Sequence, residues 1–338
     1  MARRQIDMDT VTTLVAAAAA APSLHNAQPW SFRFHTDQGV LLLRADLERA
    51  MHRTDPGHRA LHIGCGAALF NLRVAAAYAG FTVRNRLLPQ PADPLLLAAV
   101  HLDDPDEPEQ EADDLARLHP AIAQRHSSRY PFEEKDIPDA VRTALRAAAA
   151  GEGAELLFPG PWHTESLLEL VRDAESRDAL DPAGTEDLHR WTRLGPEADI
   201  ATDGVPEYAF GPRRRDGRAP LRDFAGRRPV ADRGTTGFER HPHLALLSTR
   251  GDAPADWLIA GQALERVLLE ATLAGLATSL TSHPRETPDL RLLARDPLSG
   301  TGHVQMVLRI GYGPHGPATP RRPVREVLDI AQGPSGTG

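Results

Sequence analysis

Two short stretches of this chain group polar and cationic side chains in patterns that suit ligand binding. In Arg125-His126-Ser127-Ser128-Arg129, two guanidiniums and a hydroxyl fall on alternate residues, so an extended backbone would aim Arg125, Ser127 and Arg129 to one side. Three donors converging on one point suit a phosphate, each charge-assisted hydrogen bond contributing about 1.5–3 kcal/mol. A solvated surface segment would show the same pattern. The second stretch is Ala21-Pro22-Ser23-Leu24-His25-Asn26-Ala27-Gln28-Pro29-Trp30. Here Ser23, Asn26 and Gln28 sit between two prolines, where no regular ladder takes up their donors and acceptors. A polar loop stiffened at both ends can offer hydrogen bonds to a flat heterocycle. It can equally be a Pro-rich turn in which Asn and Ser bond their own backbone.

The elements that must hold these stretches can be read around them. Residues 10–21 form a first helix, capped by Asp9 or Thr10 and stopped by Pro22. Strands at 31–35 and 40–44 flank the turn signal Asp37-Gln38-Gly39. A long apolar helix spans 56–79, with Thr54 or Asp55 as cap, Pro56 in its first turn and Gly80 at its end. Strands follow at 82–88 and 95–102. The acidic, Pro-containing segment 103–114 divides the chain into halves at 1–110 and 111–338. The second half reads as helices at 115–124, 138–150, 164–180 and 256–274, the last ended by Gly275, with strands at 155–158, 243–249, 278–282 and 303–312. Between them, residues 195–240 accumulate Gly, Pro, Arg and Asp. A loop this long is usually functional or disordered, and it is long enough to serve as a lid. Pro314, Pro317, Pro320 and Pro323 make the C-terminal segment an extended arm. An offset of 195 residues lays Gly80 on Gly275, Leu69 on Leu264, Ala76 on Ala271 and Pro89 on Pro284, a weak internal repeat of helix, Gly stop and strand.

Composition removes several classes of function. The chain has 338 residues, 41% of them hydrophobic and 25% charged, ample for a large core. With a net charge of −8 and no long basic stripe, neither nucleic acid nor an anionic membrane is an expected partner. The single cysteine, Cys65, excludes an intrachain disulfide. The Ala run of the first helix is too short and too weakly apolar to span a bilayer, and a cytoplasmic location is expected. His58 with His62, and His241 with His243, lack a third ligand at metal spacing. Gly64-Cys65-Gly66 lacks the third glycine of a dinucleotide fingerprint, and there is no Gly-x-Ser-x-Gly elbow.

The run Pro22-Ser23-x-x-Asn26-x-Gln28-Pro29-Trp30-x-Phe32 resembles the flavin-contacting loop of the FMN-dependent nitroreductase family, and the His25-Asn26 pair resembles its Acg-like branch. Arg125-x-Ser127-x-Arg129 resembles the family motif that holds the FMN phosphate and the pyrimidine edge of the ring, although Pro131 here displaces the following Phe132 by one position. Gly311-Tyr312-Gly313-Pro314 and Pro320-Arg321-Arg322-Pro323 are similar to the family's closing strand and Arg-containing tail. Gly275-Leu276-Ala277-Thr278 resembles the Gly-Leu-Gly-Thr turn beside the isoalloxazine, with Ala277 in place of the second glycine.

The resemblance implies an α+β, nitroreductase-like fold of two pseudo-repeated halves, each an antiparallel-containing sheet covered by helices. It implies one non-covalent FMN, held across the internal interface of a single-chain pseudo-dimer that is a monomer or a weak homodimer. NAD(P)H would reduce the flavin, which would pass hydride to a nitro compound, quinone or similar small-molecule acceptor. The flavin carries that reactivity, so no catalytic acid or base is expected among the side chains. Pro22, Ser23, Asn26, Gln28, Gly275 and Leu276 would bind near the ring. Arg125, Ser127, Arg129 and at least one of Arg321 and Arg322 would hold the charged end. The competing expectation is a flavin-sequestering protein in which residues 195–240 lid the cofactor.

Overall fold

The computed structural model describes residues 6–103, 110–178, 182–226, 228–281 and 302–331. In chain order the first elements are α1 (Met8–Ala19), β1 (Trp30–His35), β2 (Val40–Ala45), α2 (Arg59–Tyr78), β3 (Thr82–Leu87) and β4 (Leu96–Asp103). There follow α3 (Gln110–Ala116), α4 (His119–Gln124), α5 (Asp139–Gly151), β5 (Glu155–Leu157), α6 (Pro161–Asp178) and α7 (Pro182–Arg190). Next come β6 (Thr192–Arg193), α8 (Glu197–Ile200), β7 (Val205–Pro206), β8 (Arg213–Asp216) and β9 (Thr235–Gly237). The last are β10 (Leu244–Thr249), α9 (Pro254–Leu273), β11 (Ala277–Thr281), β12 (His303–Gly311), α10 (Val324–Val327) and β13 (Leu328–Ala331).

Several boundaries differ from the sequence expectation: the helix expected at 115–124 is divided between α3 and α4, and two helix starts move. Asp7, rather than Asp9 or Thr10, caps α1, its carboxylate accepting from the Thr10 amide at 2.7 Å. The second helix begins at Arg59 instead of Pro56, because His58 takes a left-handed conformation (φ 57°). Asp55 still serves the helix start by accepting from the Leu61 amide at 3.0 Å. Of the acidic linker expected at 103–114, residues 104–109 lie outside the described residues, as does Pro284 of the repeat, and 110–114 belong to α3 instead.

Besides two small two-stranded sheets, β6-β7 and β8-β9, the described strands form two large sheets of matching order. One runs β13-β1-β2-β4-β3 and the other β11-β12-β10-β5. Every pairing within the matching four strands is antiparallel, so β3, β4, β2 and β1 correspond to β11, β12, β10 and β5. The two central helices follow the offset of 195 at both ends, Arg59–Tyr78 against Pro254–Leu273. Their exits match as well. Gly80 (φ 82°) and Gly275 (φ 73°) take the left-handed region, and the next amide reaches back to the helix in each case, Phe81 to the Ala76 carbonyl and Leu276 to the Ala271 carbonyl, both at 2.9 Å.

Alternation along the strands builds the two main cores. Trp30, Phe32 and Phe34 of β1 and Leu41 and Leu43 of β2 are buried in a core shared with α1 and α2. Leu247, Leu308 and Ile310 belong to the other core, with Leu264, Val267 and Leu268 of α9. Full burial of such a side chain stabilises by about 1.5–3 kcal/mol each. Among the described residues α2 alone is long and apolar enough to cross a membrane, and 78% of its apolar window is buried inside the fold.

The C-terminal arm crosses from one sheet to the other. After β12 it passes over the molecule and lays β13 parallel to β1, pairing Phe32 with Leu328 and Phe34 with Ile330. The first sheet is therefore completed by the end of the chain.

Candidate functional site

A cleft opens beside the N-terminal turns of α2 and collects residues from eight parts of the chain. Pro22, Ser23, His25 and Asn26 line one wall, with Arg59, Ile63 and Gly64 of α2 beneath. Arg125, His126, Ser127 and Arg129 line another, next to Leu264 of α9, Ser279 and Leu280 of β11 and Met306 of β12. Arg321 reaches in from the tail, and Val205, Leu221, Arg222 and Phe224 come from the 195–240 segment.

The Pro22–Trp30 loop holds an unusual backbone. His25, Asn26 and Gln28 all have positive φ, at 49°, 56° and 52°. Left-handed backbone at a non-glycine residue costs roughly 1–2 kcal/mol, least for Asn, and it persists only where surroundings over-determine it. The surroundings are remote in sequence. The Asn26 amide donates to the carbonyls of Gly204 and Pro320, both at 2.9 Å, and its oxygen accepts from Arg321 at 2.9 Å. Gln28 donates to the Thr202 carbonyl and accepts from the Arg322 amide, each at 2.9 Å, while its own amide bonds to Ser23 Oγ at 2.9 Å. The side-chain amides of Asn26 and Gln28 thus tie loop, 195–240 segment and tail together.

The guanidiniums converge on the C-terminal end of α1. Arg125 Nη2 donates to the Ala20 carbonyl at 3.1 Å and Arg321 Nη2 to the same oxygen at 2.9 Å. Carbonyls at a helix C-terminus carry partial negative charge, which suits two cations. Behind Arg125 stands Glu265 of α9, Oε1 lying 3.2 Å from Arg125 Nε, with both side chains buried. Arg129 donates to the Ala209 carbonyl at 3.0 Å and lies over the Phe224 ring, 4.7 Å from its centroid. Neither Arg129 nor Arg321 has an ion-pair partner among the described residues. Burial pushes Arg129 down to about 10. Arg321 falls to about 9, through burial first and the neighbouring Arg125 charge second. Ser127 pairs with Thr278 in a parallel bridge, and the Ser128 amide donates to the Thr278 carbonyl at 2.8 Å, which fixes the direction of the whole segment.

Of the residues singled out in the sequence, Pro22, Ser23, Asn26, Arg125, Ser127, Arg129 and Arg321 meet in the cleft. Gln28 is fully buried behind the loop. Arg322 turns toward β1 and β2, 3.5 Å from Asp46. Gly275 is the exposed stop of α9 and Leu276 packs into the second core, so β11 presents Ser279 and Leu280 to the cleft instead. Phe132, shifted by Pro131, lies beneath the buried Arg309 guanidinium at 3.6 Å from ring centroid to carbon, and its amide donates to Glu239 at 3.0 Å. Arg59, Glu265, Met306 and Phe224 carry no signal in the sequence that marks them for this site. Each belongs to a helix, strand or loop with no local motif, and only the packing of distant segments brings it here.

Two sheets of matched strand order, stacked about a central helix pair with a cation-lined cleft beside it, constitute a nitroreductase-like fold. No family model matches the sequence. Curated relatives do. The chain is 31% identical over 331 residues to the Mycobacterium tuberculosis protein provisionally named NAD(P)H nitroreductase Acg, covering 96% of this chain and 97% of that one. An uncharacterised protein of the same organism is 32% identical over 327 residues, 95% and 93% of the two chains. The chain belongs to the Acg-like branch of the nitroreductase family. Among solved structures, a nitroreductase from Anabaena variabilis covers 91% of this chain and 74% of its own at TM-score 0.42 and 11% identity. An FMN-bound nitroreductase from Bacteroides fragilis covers 58% and 88% at TM-score 0.35 and 17% identity.

Proposed function

We propose that this protein is an FMN-dependent NAD(P)H oxidoreductase of nitroreductase type, reducing a nitro compound, quinone or similar small acceptor. The observation that carries the reading is the pair Arg129 and Arg321, two buried guanidiniums that line one cleft with no carboxylate in salt-bridge contact among the described residues. A buried cation held without a counter-ion is costly unless an anion completes the site. A phosphate monoester meets that need, and Ile63, Leu264, Leu280, Met306 and Phe224 supply the apolar surface a flat ring requires. When bound, the flavin supplies hydride transfer between the nicotinamide and the acceptor. The chain's own residues position and insulate it. Arg125, Ser127, Arg129 and Arg321 hold the charged end, and Pro22, Ser23 and the strained loop set the height of the ring. The walls given by α2, α9 and β11 keep water from the reacting face. Asn26 and Gln28 act through the loop, by holding its backbone against the tail.

In this reading the cofactor sits between two nitroreductase-like halves, 1–110 and 111–338, of one cytoplasmic chain that is a monomer or a weak homodimer. Nucleic acid and membrane play no part. A second reading has its own support: Val205, Leu221, Arg222 and Phe224 all come from the 195–240 segment and face the cleft, as a lid that sequesters the flavin would. An anaerobic NAD(P)H titration of FMN-loaded protein, followed by its visible spectrum, separates the readings. Rapid bleaching with recovery on adding a nitroaromatic or quinone is the expected result. Bound flavin reduced by dithionite and not by NAD(P)H would favour sequestration, and absence of any flavin band after incubation would overturn both.

A further inference from the structure

Glu265 is a charged group for which the reading above has no use. It lies in the middle of α9 with its side chain fully buried, and neither carboxylate oxygen makes a well-aligned hydrogen bond among the described residues. Arg125 Nε, 3.2 Å away, also lacks one. The pair is therefore held by charge, with little directional bonding. Arg125 lines the cleft whereas Glu265 does not, so the guanidinium stands between a carboxylate behind it and the ligand space in front. Its Nη2 is committed to the Ala20 carbonyl, the oxygen that also receives Arg321.

We propose that Glu265 is the resident counter-ion of Arg125, and that a phosphate monoester entering the cleft takes over this role while Glu265 takes up one proton from solvent. The inference rests on the flavin-phosphate reading of the cleft. Of the guanidiniums lining the cleft, Arg125 is the one in ion-pair contact with Glu265, so a phosphate dianion drawn to it would share it with that carboxylate. Two anions then flank one guanidinium, which disfavours the ionised carboxylate. Burial already pushes Glu265 above the usual carboxylate range, against the opposing influence of Arg125, Asn71 and Arg321, the groups that face it. His126, which lines the cleft, and His315 beside it are further titratable groups at this end.

The test is calorimetry of FMN and riboflavin binding to the whole protein at about pH 8, where the phosphate is already a dianion, in two buffers of different ionisation enthalpy. Riboflavin is expected to bind without proton exchange and FMN with uptake of up to one proton. FMN affinity should then weaken by up to about tenfold per pH unit through the linked range. Glu265→Gln, which imitates the protonated acid, should bind FMN with no such pH dependence and no uptake. Uptake that persists in this variant belongs to another group, such as His126 or His315, and overturns the proposal. So does FMN binding to the unaltered protein with no more proton uptake than riboflavin, a comparison that needs no variant to fold. Binding of neither ligand overturns the flavin reading itself.

Discussion

Gly66 and Gly261 meet where α2 crosses α9. A Cβ placed on Gly261 would lie 2.1 Å from the Ile63 carbonyl oxygen and 2.8 Å from Gly66 Cα; one on Gly66 would lie 2.3 Å from the Leu258 carbonyl oxygen. The two residues are separated by the same 195 positions that relate the helices, so each stands at the contact point of the other. The central helices approach this closely because neither carries a side chain there, and the cleft walls built from both depend on that distance.

Gly261→Ala should therefore destabilise the fold even though alanine is the better helix former by about 1 kcal/mol. The methyl group would collide with main-chain atoms, which cannot rotate away, so the helices must separate. A loss of about 1–3 kcal/mol is expected, read as the shift in a urea unfolding curve. An unchanged midpoint would mean that the helices are not packed through these glycines.

Asn26→Ala removes three hydrogen bonds that join the loop, the 195–240 segment and the tail, and places alanine at φ 56°. The expected loss is about 2–4 kcal/mol, from unsatisfied carbonyls together with left-handed backbone strain. Asn26→Gly relieves the strain alone and should recover about 1 kcal/mol of it. Equal melting temperatures for the two variants would show that the backbone conformation carries no cost.

Arg129→Met tests the buried cation without disturbing an ion pair. Its protein contacts are the Ala209 carbonyl and the Phe224 ring, so the flavin-free protein should be as stable or more so. FMN affinity should fall roughly ten- to a hundredfold, equivalent to about 1.5–3 kcal/mol for a charge-assisted contact, while riboflavin binding changes little. Fluorescence titration with both flavins reads this directly. An equal loss for FMN and riboflavin would assign Arg129 to the ring rather than the phosphate.

Asp203 ties the 195–240 segment down by accepting from both Arg49 and Arg193, while Arg49 also donates to the Ala27 carbonyl in the loop. Burial alone would raise the Asp203 pKa, yet the hydrogen bonds and charges of the two arginines outweigh it and hold the group below its ordinary value. A depressed carboxylate pKa contributes stability that is complete above the unfolded value, about 3.9, and is lost as pH falls through the folded one. The tie is therefore intact at neutral pH. Asp203→Asn should cost about 1–3 kcal/mol at pH 7 and increase proteolytic cleavage within residues 195–240. An unaltered digestion pattern would mean that this pair does not anchor the segment.

Local physics made much of this legible from the residue order. Pro22 had to stop the first helix, Gly80 and Gly275 had to end the central ones, and the repeat at 195 residues had to place similar helices and strands about them. The alternation of Arg125, Ser127 and Arg129 did bring all three to one cleft. Other features could not be read, because the information lies in partners far along the chain. Whether Asn26 and Gln28 would offer their amides to a ligand depended on Gly204, Thr202 and Pro320, whose carbonyls take those donors up. Gly275 and Leu276 matched a motif by residue type, yet the packing of β11 put Ser279 and Leu280 in the cleft instead.

What the sequence determined by itself was the set of segments, the cationic residues able to meet a phosphate, and the family they resemble, since helix stops, strand alternation and charge are properties of neighbouring residues. What only the tertiary structure decided was the assembly of the site. A carboxylate at Glu265 acquires its meaning from Arg125, 140 positions earlier, and the loop's strained backbone is held by a tail that crosses to complete the other half's sheet. Contacts of that kind follow from closure of the whole chain, a free energy that no local window of residues contains.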